Sequence, residues 1–186
     1  MSRTFPSFHP LSYITVMPLM LTTLTLADLT ALTGLDVLGH LEREATIPVT
    51  DGIQAQGDLL VIPIALLATE PRGWAWRNVS IADSARWHQV PGVGIEVLRA
   101  GTGGNPHTLV ADPGTCRWTT GVRDPERLAL GALNTTGAAY LIHPEHGGSG
   151  IAPGTYVIRR QRERSGTTYR SSNFPHAGNP VQYVVD

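Results

Sequence analysis

A chain of 186 residues leaves no room for two domains of ordinary size, and 41% hydrophobic residues suffice for one folded interior without metals or cross-links. Its 20 glycines and 14 prolines interrupt the chain too often for a helix-rich architecture and suit many short strands joined by turns. A formal charge of −1 removes any global attraction to nucleic acid or an anionic membrane, and the single cysteine, Cys116, excludes an intramolecular disulfide.

Residues 13–26 (YITVMPLMLTTLTL) are apolar but hold Pro18 and four threonines, and the run is shorter than the about 20 residues a span requires. With one basic residue upstream and no small-residue cleavage site, it is not a convincing signal peptide. It is expected to be an extended arm that packs on protein. Thr25 and Asp28 form an S/T-x-x-D/E capping box ahead of Leu29 and Leu32, and Gly34 supplies a stop, so a short helix is predicted over 26–33. Asp36 is expected to cap a second helix ending before Pro48, with Val37, Leu38 and Leu41 on one face and Glu42, Arg43 and Glu44 on the other.

From Gly57 the pattern changes to strands. The run 59–67 (LLVIPIALL) reads as a buried strand with a bulge or a terminal kink at Pro63. Residues 71–92 carry Trp74, Trp76 and Trp87 among Pro, Gly, Asn and Ser, the pattern of a long loop pinned by aromatic anchors. Further strands are predicted at 95–99, 107–111, 115–120, 138–143, 155–163 and 181–185, separated by turns that include 112–114, 147–150 and 153–154. Short strands at this spacing predict a mainly β fold, a small barrel or a jelly-roll-like sandwich. The chain therefore divides into an extension, 1–50, with one or two short helices, and a β domain, 51–186.

Three constellations carry possible chemistry. His143 and His146 bracket Glu145 at a strand end, and His107 on a neighbouring strand adds a third imidazole, a ligand set suited to a divalent transition metal such as Zn or Fe. Strand-end histidines are as often plain polar surface, so the spacing alone is suggestive. Arg160, Arg162 and Arg164 alternate along a predicted strand and would present an anion-binding face, or else the protective charges of an edge strand. The apolar positions Leu19, Leu21, Leu26, Leu29 and Leu32, with Trp74, Trp76 and Trp87, are the candidate partner-binding residues. No serine lies in a G-x-S-x-G elbow, and Cys116 reads as a small buried hydrophobe.

Gly57-Asp58-Leu59 with Pro63, Gly104 to His107, His143 to His146, Pro153-Gly154 with Tyr156, and Arg160-Gln161-Arg162-Glu163 together resemble a family of small β proteins from actinobacteria and their phages, with G-D-x-L, G-H-x-H, H-x-E-H, P-G-x-Y and R-x-Q-R-E-Y patterns. The resemblance spans about 57–186 and implies a compact β fold without implying an activity. Asn105 replaces the first histidine of G-H-x-H and Arg164 replaces the tyrosine. The Pro-Gly-x-Tyr segment also resembles the second half of a cupin motif. Residues 25–34 are similar to the T-L-A-D-L-x-x-x-T-G helix in the N-terminal arm of some tailed-phage major capsid proteins.

These readings lead to a non-enzymatic structural or binding module attached to a larger protein assembly, a capsid or a homo-oligomer, with a capsid-associated protein as the specific expectation. Neither a membrane nor nucleic acid is expected as a partner, and the compartment stays open between virion and cytoplasm. The alternative is a cupin-like metal-binding protein or metal-dependent enzyme built on the histidines.

Overall fold

A computed structural model of the chain describes residues 23–69, 78–99, 104–164 and 181–183. In chain order the elements are α1 (Leu26–Thr33), β1 (Val49–Thr50), β2 (Gln54–Gln56), β3 (Leu59–Pro63), α2 (Ile64–Thr69), β4 (Ser80–Ile81), β5 (His88–Gln89), β6 (Ile95–Arg99), β7 (Pro106–Ala111) and β8 (Cys116–Thr119). There follow β9 (Val122–Arg123), β10 (Ala129–Thr135), β11 (Ala139–His143), β12 (Gly147–Ile151), β13 (Gly154–Arg160), β14 (Arg162–Arg164) and β15 (Val181–Tyr183).

A five-stranded sheet, β1-β12-β11-β7-β6, faces a six-stranded sheet, β2-β3-β13-β10-β8-β5, and β4-β9 and β14-β15 form two small ribbons. The fold is a mainly β sandwich; among the described residues the sheets do not close into a barrel. Leu59, Val61, Leu109, Leu133, Leu141 and Ile158 fill the space between the sheets. Alternation along each strand sends the intervening side chains outward, and these are covered too. Leu24, Leu26, Leu29, Val37 and Ile47 pack on Val110, Tyr140 and Ile142 outside the five-stranded sheet. Leu67 and Val79 pack on Ile62, Ala132 and Val157 outside the six-stranded sheet. Burial on both faces is why β11 (AYLIH) is apolar from Ala139 to Ile142 and buried at every position.

Helix α1 forms as its signals predict. Thr25 accepts from the Asp28 N–H, the Asp28 carboxylate accepts from the Thr25 N–H, and Gly34 ends the helix at φ +70°. The second helix expected from Asp36 does not form. Its backbone groups find distant partners instead, Leu38 N–H donating to Pro144 O and Ala27 N–H to Arg43 O, and Gly39 weakens any helix there by about 1 kcal/mol. Residues 24–50, expected as part of a detached extension, are thus packed on the sandwich, and β1 joins its edge in parallel with β12. The boundary expected at 50/51 falls at the exposed turn 51–53 between β1 and β2.

Three further differences have specific causes. Pro63 cannot continue the ladder, so the run 59–67 is strand to Pro63 and helix α2 beyond it. The glycines of 147–150, expected as a turn, form β12. A Cβ on Gly148 would meet Ile47 Cδ1 at 2.6 Å and one on Gly150 would meet Pro48 O at 2.6 Å, so only glycine lets the N-terminal segment cross the strand. The strand predicted over 155–163 breaks at Gln161, whose N–H donates to Asp58 O at 2.7 Å, and the chain passes from β13 into the separate β14-β15 ribbon.

Candidate functional site

The buried polar residues Gln56, Asp58, His107 and His143 gather at one end of the sandwich, where the β2–β3 turn meets the start of β7 and the end of β11. Gly57, at φ +54°, is the first of two turn residues between Gln56 and Leu59, the glycine position of a tight hairpin. That turn carries Asp58 inward. His107 shares the inward face of β7 with Leu109, and His143 shares the inward face of β11 with Leu141, so both imidazoles enter the end of the inter-sheet core and are 2% exposed.

His107 Nε2 lies 3.0 Å from Asp58 Oδ1, and His107 Nδ1 lies 3.3 Å from Gln56 Oε1. The Gln56 amide is oriented by its own donors: Nε2 donates to Leu141 O and to Gly147 O, both at 3.2 Å. Its oxygen therefore faces His107, so the Nδ1 contact calls for a ring proton, while Nε2 lies in close contact with a carboxyl oxygen of Asp58. His143 is set the other way, because its Nδ1 accepts from the Glu145 N–H at 3.2 Å and so carries no proton. The His107 and His143 rings stack at 4.1 Å between centroids, and those of His143 and His146 at 4.6 Å. His146 is exposed, and beside it Asn105 donates to Glu145 Oε1 at 2.8 Å.

The three predicted histidines thus come together, as a stack. Among the described residues no group of three or more His, Cys, Asp and Glu is arranged to hold a metal ion. Of the predicted docking residues, Leu26 and Leu29 are buried against their own sheet, Leu32 is 41% exposed, and Trp87 packs beside the outer core of the six-stranded sheet with Arg117 over its ring at 5.1 Å. Leu19, Leu21, Trp74 and Trp76 lie outside the described residues, as do the side chains of Arg162 and Arg164. Arg160 is half-buried at the end of β13. The break at Gln161 means that Arg160, Arg162 and Arg164 do not share one continuous strand.

Sequence reasoning missed Gln56, Asp58 and Gln161 as members of this end. Gln161 Nε2 donates to Gly57 O at 2.9 Å and to Leu59 O at 3.3 Å, clamping the turn that positions Asp58. The available signal was the joint presence of Gly57-Asp58 and Gln161 in the recognised patterns. Also missed was the ion network of Arg159, which donates to both Asp124 oxygens at 2.9 and 3.1 Å and to Glu126 Oε2 at 3.1 Å. Desolvation pushes the Asp124 carboxyl upward, but Arg159 and the N–H groups of Glu126 and Ala129 outweigh it and hold it below its ordinary value. Burial pushes the Cys116 thiol up to about 11, against a smaller opposing effect of Thr135, so it is no nucleophile near neutral pH.

No curated protein and no solved structure matches this chain. Residues 55–161, more than half of the 186, match the model of one family, described as a domain of unknown function (DUF8820), and the chain belongs to that family.

Proposed function

We propose that the protein is a non-enzymatic structural module, fastened to a larger protein assembly of the phage-capsid kind by its apolar N-terminal sequence. The observation that carries this reading is the closure of the outer face of the five-stranded sheet by residues from Leu24 onward. The sequence 13–22, with Leu19 and Leu21, is apolar and precedes that cover, and an apolar sequence too short for a membrane calls for a protein cover. The similarity of residues 25–34 to a capsid arm supports the choice of assembly, and α1 has the capped form that this similarity implies. The interior of the polar end supports a structural role, since both His107 nitrogens are engaged and the Cys116 thiol stays protonated.

The test compares the full chain with a chain beginning at Thr23, each co-expressed with its neighbouring genes, and pellets the resulting assemblies. Absence of the shortened chain from the pellet, at an unchanged melting temperature, supports the reading. Equal retention overturns it. A cut near Asp51 would be a poor test, because it would strip the cover from Val110, Tyr140 and Ile142.

A second reading, a cupin-like metal-binding protein or metal-dependent enzyme, draws on the closeness of the three imidazoles. It requires His107 to turn a ring nitrogen away from Asp58 or Gln56. Elemental analysis of the purified protein separates the two, since a true three-histidine site retains its ion near stoichiometry.

A further inference from the structure

The family match begins at residue 55, yet the outer face of the five-stranded sheet, with Val110, Tyr140 and Ile142 inside the match, is covered by residues 24–50 outside it. The face is shaped for that cover. Gly148 and Gly150 leave a track in which any Cβ would strike Ile47 or Pro48, and Gly150 and Ala152 N–H groups donate to Pro48 O at 3.2 Å and Thr50 O at 2.9 Å. Tyr140 Oη accepts from the Leu24 N–H at 3.2 Å, and Pro144 O accepts from the Leu38 N–H at 2.9 Å. This is the recognition of a peptide by strand addition, with an apolar helix laid alongside.

The segment is also tied to itself. Thr25 bridges Thr46, Ile47 N–H donates to Leu24 O at 2.8 Å, and Arg43 donates to Asp36 Oδ1 at 3.0 Å. Its link to β2 is the exposed turn 51–53, where a Cβ on Gly52 would meet nothing within 4 Å.

We infer that the outer face of the five-stranded sheet is a docking surface and that residues 24–50 are its tethered ligand, exchangeable with the same residues of a second copy of this chain. A second copy fits because it reproduces every contact without a new surface, once the turn at 51–53 opens. A tether this short holds its ligand at an effective concentration on the order of millimolar, so docking within one chain prevails in dilute solution. Exchange prevails where copies are packed side by side. The inference rests on reading the protein as an assembly module but needs nothing from residues 13–22. A chain starting at Thr23 keeps its cover, so the two ideas fail separately.

The test uses the full chain with a protease site inserted between Gly52 and Ile53, cut in native buffer. The cut protein is expected to keep its melting transition, to carry the segment through gel filtration, and to take up a fluorescent peptide of residues 23–50 at one per body. The same peptide with Leu29→Asp is expected to bind about tenfold or more weakly, a comparison that leaves the folding of the body untouched. Uncut chains at high concentration are expected to sediment as dimers that cutting dissolves, since only an exchanged segment is severed from its neighbour by the cut. Loss of the melting transition on cutting, failure to take up the peptide, equal binding by the Leu29→Asp peptide, monomers at every concentration, or dimers that survive the cut would each overturn the inference.

Discussion

The carboxylate of Asp58 and the imidazole of His107, 3.0 Å apart and both buried, tie the hairpin of one sheet to the first residues of β7 in the other. Read as an imidazolium against a carboxylate, the pair strands one charge in the interior when the other member is removed. Asp58→Ala is expected to cost about 3–5 kcal/mol in urea unfolding, and replacing both residues by apolar ones is expected to cost less than either single change. A loss below about 1 kcal/mol for Asp58→Ala would remove the imidazolium–carboxylate assignment. Nitrogen-detected NMR checks it independently, through two N–H protons on the His107 ring.

Arg159 and Asp124 give the fold an acid-sensitive bond outside the six-stranded sheet. The Asp124 carboxyl is lower in the folded chain than in the unfolded one, so its contribution is complete above the unfolded value of about 3.9 and is lost as pH falls through the folded value. Asp124→Asn is expected to flatten the acid limb of a stability–pH profile below about pH 4 and to cost about 3–5 kcal/mol at neutral pH, because it leaves Arg159 buried beside Glu126 alone. An acid limb identical in slope to that of the parent chain would contradict this.

Two glycines should respond in opposite directions. Gly148→Ala forces a methyl against Ile47 and Leu29 and is expected to destabilise by about 1–3 kcal/mol. At Gly39 an added Cβ meets nothing within 4 Å and the backbone is not left-handed, so Gly39→Ala is expected to be neutral or to stabilise by about 0.4–1 kcal/mol. Calorimetric melting of the two variants reads both signs at once.

The Cys116 thiol offers a reporter. With its pKa raised to about 11 by burial between the sheets, it is expected to resist disulfide reagents at pH 8 in the native chain and to react at once in denaturant. Labelling in the native state at the unfolded-state rate would place Cys116 outside the core.

Local chemistry was legible along the chain. The capping box of Thr25 and Asp28, the stop at Gly34 and the strand at 95–99 each follow from neighbours within four residues, and they form where those neighbours place them. Strand β10 (ALGALNT) was not legible, because Ala, Gly and Asn carry little β propensity. Gly131 is there because the Trp118 ring and Thr119 O occupy the space a side chain would need. Nor does composition separate the glycines of β12 from those of a turn, since the reason for them is Ile47 and Pro48, about a hundred residues earlier.

The site divides along the same line. His107, His143 and His146 could be picked out as neighbours from strand ends and spacing. Whether they face an ion, water or one another depended on Asp58 and on the amide of Gln56, which are separated from His107 by about fifty residues. The residues alone determined that this is a β protein with a capped N-terminal helix, because those features are set by short-range sterics and hydrogen bonds. Only the tertiary structure decided that the helix lies on its own sheet and that the histidines stack beside the buried Asp58 carboxyl, because burial and contact are properties of partners the chain brings together by folding.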